Sequence, residues 1–171
     1  MDRVDVASMA NDLLSQHGLH DWAIQFDHAR RRAGQTNYRY RIIQLSGPLM
    51  DLYSVEEVRE TILHEIAHAL VGPDHGHDAV WRAKAKEIGS TGERTVSSCA
   101  PRILGRWVGV CPQGHYVDRM RRPATPVSCY QCSRRFDLRY LLTWTFDGKP
   151  LNPEEISPSY ATVWQKLHHA P

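Results

Sequence analysis

The sequence predicts a protein of the α+β class, with a larger domain of helices around a small β-sheet and a smaller β module after it. Near residue 65, two histidines lie four residues apart and a glutamate follows the first of them. This spacing predicts a helix with reactive side chains on one face. Two stretches before it resemble β-strands, and two cysteine-containing pairs after it are typical of a small zinc-held module. We therefore expect a first domain at residues 1–98, a module at 99–146, and a C-terminal tail at 147–171 that packs on the first domain.

Length and composition limit the class of protein. The 171 residues are 42% hydrophobic and 23% charged, which is enough for one moderate core and a small second module. No apolar run approaches the roughly 20 residues that cross a bilayer, so no membrane partner is expected. The acidic residues Asp2 and Asp5 do not fit a signal peptide. We expect a cytoplasmic protein, because in a reducing compartment clustered cysteines hold metal more often than they form disulfides.

The segment before residue 30 predicts a helix followed by a strand. Residues 4–17 place apolar side chains at helical spacing, and Gly18 ends that helix. Trp22, Ile24 and Phe26 then alternate with other residues, which predicts a strand with these three side chains directed inward. We expect both elements to belong to the scaffold of the first domain.

The next segment predicts a loop and a second strand. Arg30–Arg32 and the turn-forming residues 33–37 favour a solvated loop, with a nucleic-acid contact as the alternative. Residues 38–46 are rich in aromatic and β-branched side chains, which predicts a strand that ends at Gly47. Two strands form a small sheet, and the free edge of such a sheet can bind an extended peptide through its backbone.

One complete His-Glu-x-x-His motif lies in the helix that follows. A capping box that begins at Ser54 predicts the start of the helix, and Gly72 predicts its end. His64 and His68 lie one turn apart on the same helix face, so both imidazoles can bind one tetrahedral Zn²⁺. Glu65 lies at the edge of that face, where it can act as a general base on a water at the metal.

A catalytic zinc of this kind needs a third protein ligand and one open position. Asp74 stands ten residues after His64, where a longer version of the motif would place a third histidine, so that version does not apply. His77 is the favoured third ligand, because it precedes the next predicted helix, residues 78–88, and a rigid element would position it. His75, on a turn next to Gly76, is the alternative ligand.

Several stretches together resemble the SprT-like domain, the family that includes the Spartan-type proteases. They are Trp22-Ala23-Ile24-Gln25-Phe26-Asp27, Arg32-Ala33-Gly34, Ile42-Ile43-Gln44-Leu45-Ser46, His64-Glu65-Ile66-Ala67-His68-Ala69-Leu70, Gly76-His77-Asp78-Ala79-Val80-Trp81 and Ile88-Gly89. The resemblance covers residues 5–140 and implies a zincin-like helical domain with a small β-sheet. It also implies a zinc-dependent peptidase, often linked to DNA and DNA–protein crosslinks, with His77 as third ligand and Glu65 as base.

Two ligand pairs further along the chain are typical of a zinc ribbon. Cys111 pairs with His115, and Cys129 pairs with Cys132. In a zinc ribbon each pair lies on a tight turn, and hairpins bring the two turns together. Four protein ligands leave no position for water, so this second zinc is expected to be structural. Cys99 is the remaining cysteine and the alternative to His115.

Positive charge is concentrated in this β module. Residues 101–145 contain eight arginines and two acids, a net charge of +6, whereas residues 1–100 contain eleven basic and fourteen acidic residues, a net charge of −3. Three thiolates and Zn²⁺ would lower the charge of the module to about +5. The arginines alternate with aromatic residues such as Tyr116, Tyr130 and Phe136, which favours contact with single-stranded or distorted DNA. The alternative is that these arginines keep a small module soluble.

The sequence therefore predicts a zinc metallopeptidase with one catalytic and one structural zinc ion. Its expected substrate is a protein or peptide, including proteins associated with DNA. Two alternative functions stay open. One is a DNA-binding zinc-ribbon protein with a non-catalytic peptidase-like scaffold, and the other is a regulatory peptidase with a specific protein substrate and no dependence on DNA.

Overall fold

The computed structural model describes residues 1–95 and 100–168. The chain divides into two compact units, Met1–Ile103 and Leu104–Pro171. The described residues form helices and two small β-sheets, so the predicted α+β class is confirmed. The domain boundary expected between residues 98 and 99, and Cys99 with it, lies outside the described residues. None of the helices in the described part of the chain has the length and apolar character that a membrane crossing requires.

The first unit combines helices with a three-stranded sheet. In chain order its elements are α1 (Arg3–Gln16), β1 (Ala23–Asp27), β2 (Gly34–Asn37), β3 (Ile42–Ser46), α2 (Gly47–Met50), α3 (Val55–Val71) and α4 (Ala79–Glu87). The strand order is β1-β3-β2, in which β1 runs parallel and β2 antiparallel to β3. Strand β3 is therefore central, and β2 lies at one edge of the sheet.

The core of the first unit holds α3 against α1 and the sheet. Ile43 and Leu45 of β3 are fully buried, as are the α3 side chains Ile62 and Ile66 at helical spacing. The predicted capping box is present at the start of α3, where the Ser54 side chain accepts a hydrogen bond from the backbone N–H of Glu57 and the backbone N–H of Ser54 donates one to the Glu57 carboxylate. The buried apolar face and the N-terminal capping box together fix the orientation of α3. Its opposite face is therefore free to carry reactive side chains.

Strand β2 is the main departure from the sequence analysis, which predicted a loop at residues 33–37 and a strand over residues 38–46. In the structure the second of these strands begins only at Ile42, and residues 38–41 form the turn between β2 and β3. Arg41 has a positive φ of 53° in that turn. Strand β2 lacks the apolar alternation of a half-buried strand, because it is an edge strand whose side chains face polar groups of α3.

The second unit is built on a four-stranded antiparallel sheet. Its elements are β4 (Trp107–Val110), β5 (Tyr116–Arg119), a short 3₁₀ helix (Leu138–Tyr140), β6 (Thr143–Phe146), β7 (Lys149–Leu151), α5 (Pro153–Ile156) and α6 (Pro158–His168). The strand order is β5-β4-β6-β7. Two cysteines from the predicted ribbon, Cys111 and Cys129, are buried in the same cluster as Trp144 and Tyr160.

The C-terminal tail belongs to the second unit. Strand β7 extends the second sheet, and Trp164 of α6 packs against the buried cluster of the second unit. Tyr160 and Ile156 are buried residues of that cluster. A β module of this size buries little apolar surface by itself, so the aromatic residues of α6 complete its core.

Candidate metal site and general base

Two helices position the three histidines. His64 and His68 lie one turn apart on α3. His77 stands immediately before the N-cap residue of α4, Asp78, whose side chain accepts a hydrogen bond from the backbone N–H of Trp81 at 3.0 Å. The cap holds the start of α4 in place, and the side chain of His77 therefore meets those of α3 at a defined point.

The three imidazole rings converge on one another. The Nε2 atom of His77 lies 3.0 Å from Nε2 of His64 and 3.2 Å from Nε2 of His68. Nitrogen ligands at about 2.1 Å from a tetrahedral zinc would be separated by about 3.4 Å, so the observed spacing fits one metal ion closely. The described residues therefore contain a three-histidine cluster that could hold a metal ion.

The protonation of these histidines suits metal binding. Burial, followed by the charge of His68, lowers the pKa of His64 to about 4. Burial and then the charge of His77 lower the pKa of His68 to about 4 as well. Burial also lowers the pKa of His77. Neutral imidazoles offer a free lone pair at neutral pH, as metal ligands must.

Backbone groups act on two of the imidazoles against the larger effect of burial. The backbone of Glu93 raises the pKa of His64, and the backbone of His75 raises the pKa of His68. The His75 side chain points elsewhere, since its Nδ1 lies 2.8 Å from a carboxylate oxygen of Asp78.

Glu65 is buried next to the histidine cluster and beneath strand β2. Only 6% of its surface is exposed. Burial raises the pKa of its carboxyl to about 7, and the hydrogen bond from Thr36 and the charge of Arg32 act in the opposite direction. A carboxyl group with a pKa near neutrality can both accept and release a proton at physiological pH.

An open cavity of about 350 Å³ lies over these groups. It is bounded by residues of β2, α3 and the loop before α4: Gly34, Gln35, Thr36, Tyr38, His64, Glu65, His68, His75, Gly76 and His77. The Tyr38 hydroxyl is within hydrogen-bond distance of the carbonyl oxygens of His68 and Gly72, at 3.2 and 3.3 Å. The cavity gives a ligand direct access to the histidine cluster and to Glu65.

The segment after α4 also borders the site. Glu60 of α3 accepts hydrogen bonds from the side chains of Ser90 and Thr91, both at 2.7 Å. A second cavity, of about 180 Å³, is lined by residues of this segment together with His64 and Glu65. The hydrogen bonds to Glu60 thus hold residues 90–95 against the active face of α3.

A second candidate metal site lies in the second unit. The Sγ atoms of Cys111 and Cys132 are 3.8 Å apart, and Nδ1 of His115 lies 3.2 Å from Sγ of Cys132 and 3.7 Å from Sγ of Cys129. Thiolate ligands at about 2.3 Å from a tetrahedral zinc would be about 3.8 Å apart. The four residues therefore form a Cys₃His cluster that could hold a structural ion.

The structure brings together every residue that the sequence analysis assigned to a metal. His64, His68 and His77 form one cluster, and the two ribbon pairs form the other. Three further residues act on the site although they are distant from it along the chain, and the sequence did not predict them: Thr36, Tyr38 and Glu93. No local spacing could have identified them, because each contacts α3 only through the fold.

An α+β unit whose central helix carries two histidines and a buried glutamate, with a third histidine completing the cluster, defines a zincin-like domain. The chain belongs to the SprT-like family, whose model matches residues 5–100. No match is found among curated proteins.

Two solved structures are similar to the chain. The metallopeptidase zymogen jannalysin of Methanocaldococcus jannaschii is 15% identical, with a TM-score of 0.45, and the alignment covers 52% of this chain and 85% of jannalysin. The metallopeptidase zymogen abylysin of Pyrococcus abyssi is 20% identical, with a TM-score of 0.37, and the alignment covers 49% of this chain and 85% of abylysin. Family membership supports a zinc metallopeptidase.

Proposed function

We propose that the first unit is a zinc-dependent endopeptidase in which Glu65 is the general base. The observation that carries the proposal is the position of this buried carboxyl beside three converging imidazoles, under an open cavity. Three neutral nitrogen donors with an accessible side are the donor set of a catalytic rather than a closed structural zinc site.

His64, His68 and His77 would hold the metal ion. A zinc ion bound there would supply Lewis acidity, which lowers the pKa of a bound water towards ~7 and polarises a peptide carbonyl. The side chains perform the proton transfers. Glu65 accepts a proton from the attacking water and passes it to the leaving amine.

Strand β2 is the proposed binding element for the substrate backbone. It pairs with β3 along one edge, and no described strand pairs with its other edge. An extended peptide that adds to this edge would lie over α3, since Thr36 of β2 contacts Glu65 of α3 directly. Backbone pairing makes few demands on side chains, so we propose a broad preference for extended protein segments.

The experiment that tests this function compares wild type with Glu65→Gln on an unfolded protein substrate. Glu65→Gln is expected to reduce cleavage by at least about 100-fold at unchanged zinc content, because the base is lost and the imidazoles are kept. Glu56→Gln is the matched control, since it makes the same change at an exposed position of the same helix. Cleavage by Glu65→Gln at the wild-type rate would refute the assignment and leave a non-catalytic scaffold.

A second candidate function, binding of single-stranded DNA, is favoured by the surface of the second unit. Tyr116, Tyr130 and Phe136 are 61%, 64% and 53% exposed, an unusual density of exposed aromatic rings for one small module. The Arg134 guanidinium lies 4.4 Å from the centre of the Tyr130 ring. Aromatic rings with adjacent guanidinium groups stack bases and bind phosphates.

A cavity of about 330 Å³ lies beside two of these rings, between Tyr116 and Tyr130, and Arg119 also lines it. Part of the positive charge of the module is neutralised within the fold. Arg106 pairs with Asp147, and a second arginine of the module pairs with Asp137. The proposed DNA contact uses the face that carries Tyr130 and Arg134.

Fluorescence anisotropy with a labelled single-stranded oligonucleotide tests this candidate. Tyr130→Ala is expected to weaken binding about ten-fold through loss of stacking. Arg134→Ala should reduce the slope of log affinity against log salt by about one. Tyr40→Ala, at a 63% exposed tyrosine of the first unit, is the matched control. Equal binding by wild type and Tyr130→Ala would contradict the DNA proposal.

Cleavage assays with and without the oligonucleotide separate the remaining alternatives. DNA-stimulated cleavage of a DNA-binding substrate would support a peptidase for DNA-associated proteins. Cleavage that is indifferent to DNA would favour a regulatory peptidase with one protein substrate. We also propose the cytoplasm as its compartment, because the three thiols of the Cys₃His cluster need reducing surroundings to hold a metal.

A further inference from the structure

The hydroxyl of Thr36 forms the closest polar contact of the Glu65 carboxyl that the structure shows. Its Oγ1 lies 2.8 Å from Oε2 of Glu65 and 3.0 Å from the backbone carbonyl oxygen of the same residue. Thr36 therefore contacts the side chain and the backbone of the proposed base at once. The two residues are 29 positions apart in the chain.

The neighbouring residue on the same face of β2 adds a steric constraint. Residues 34 and 36 point to the same side of the strand, because side chains alternate along it. A Cβ at Gly34 would lie 2.7 Å from both Cγ and Oε1 of Glu65, closer than atoms pack. Gly34 therefore leaves the space that the Glu65 side chain fills, and Thr36 supplies a polar partner at its end.

A hydroxyl group carries one hydrogen and two acceptor lone pairs. Thr36 can therefore donate a hydrogen bond to Oε2 or to the backbone carbonyl oxygen of Glu65, and both acceptors lie within 3.0 Å of its Oγ1. A methyl group in the place of this hydroxyl would make neither hydrogen bond.

We propose that Thr36 is a positioning residue, which holds the carboxyl of Glu65 in place from strand β2. The assignment rests on the proposed function of Glu65 as base. It also links substrate binding to catalysis, because the strand that would pair with the substrate is the strand that holds the base.

The test compares Thr36→Val, which loses the hydroxyl, with Thr36→Ser, which keeps it. Thr36→Val is expected to lower kcat about 10- to 100-fold, as is typical when the orientation of a catalytic group is lost. KM should stay within about two-fold, because the backbone of β2 is unchanged. Thr36→Ser should recover most of the lost kcat. A Thr36→Val variant with wild-type kcat, or a Thr36→Ser variant as impaired as Thr36→Val, would overturn the assignment.

Crystal structures of the variants provide a readout that does not depend on activity. In Thr36→Val the Glu65 carboxyl is expected to leave its place or to occupy more than one conformer, while His64, His68 and His77 keep theirs. Gly34→Ala is expected to displace the same carboxyl by contact with its Cγ. A Glu65 side chain that is unmoved in Thr36→Val would overturn the proposal even if the wild-type chain proved not to cleave protein. Failure of the peptidase function itself would instead appear as equal activity of wild type and Glu65→Gln.

Discussion

The indole ring of Trp81 stacks on the imidazole of His68, with ring centroids 5.2 Å apart and planes inclined by 28°. The same indole makes edge contacts with His64 and His77, both at 4.7 Å between centroids. Trp81 is fully buried. One side chain of α4 thus contacts all three rings of the candidate metal site and limits the directions in which they can turn.

Replacement of this indole should weaken the metal site and the fold together. Trp81→Ala is expected to destabilise the chain by about 3 to 5 kcal/mol and to lower zinc affinity, because the three rings lose their common neighbour. Trp81→Phe is the control, since it keeps an aromatic ring and removes an indole N–H that has no partner among the described residues. Denaturant unfolding and zinc titration measure both effects. Equal zinc affinity in wild type and Trp81→Ala would contradict the role of the ring.

The choice of third ligand can be tested by metal analysis. His77→Ala is expected to lower the zinc content by about one ion per chain. Its Nε2 lies within 3.2 Å of Nε2 of both other histidines, so its removal takes away one of three ligands. His75→Ala should keep that ion, since the contact of His75 with His68 is made by the backbone and survives the substitution. The reverse result would make His75 the ligand.

The buried Glu65 should lower stability at high pH when the zinc has been removed. Its pKa is raised by burial from 4.5 to about 7. Such a carboxyl contributes stability that is present below pH ~4.5 and is lost as the pH rises through ~7. Glu65→Gln is expected to be more stable than wild type at pH 8, by up to about 3 kcal/mol, and by under about 1 kcal/mol at pH 5.

Urea unfolding of the chelator-treated proteins measures this difference at the two pH values. His64 and His68 titrate in both proteins at acid pH, so their contributions cancel in the comparison. If the difference in stability between wild type and Glu65→Gln is the same at pH 5 and pH 8, burial does not raise the pKa of Glu65.

The Cys₃His cluster should stabilise the second unit through a structural ion. Cys129→Ser is expected to lower the zinc content from about two ions to about one per chain and to unfold the second unit at a lower temperature, because metal binding contributes to folding free energy. Gln131→Ala is the matched control, an exposed residue between the two cysteines of the same turn. Unchanged zinc content in Cys129→Ser would exclude this residue as a ligand.

Features with a short repeat or a short spacing could be predicted from the sequence. The i, i+4 spacing of His64 and His68 and the capping box at Ser54 specify one helix with one chemical face, and the structure contains that helix. The Cys129–Cys132 spacing likewise specifies a tight turn with two thiols. In each case the groups that interact are neighbours along the chain, so local geometry decides their arrangement.

Other features arise only when distant segments meet. The sequence of β2 is polar because a strand at the sheet edge need not bury an apolar face, so it lacks the alternation of a half-buried strand. It forms a strand because it pairs with β3. Trp164 likewise packs in a core whose other members come from distant parts of the chain, and the spacing of residues in the tail does not identify them.

The sequence by itself determined the helix with its paired histidines, the ligand pairs of the ribbon, and the α+β class. Tertiary structure alone decided that β2 lies over α3, that Thr36 contacts Glu65, and that Trp81 contacts all three imidazoles. The physical reason is that a helix or a tight turn is specified by groups a few residues apart. The surroundings of a catalytic group are specified by hydrogen bonds that close only after the chain has folded.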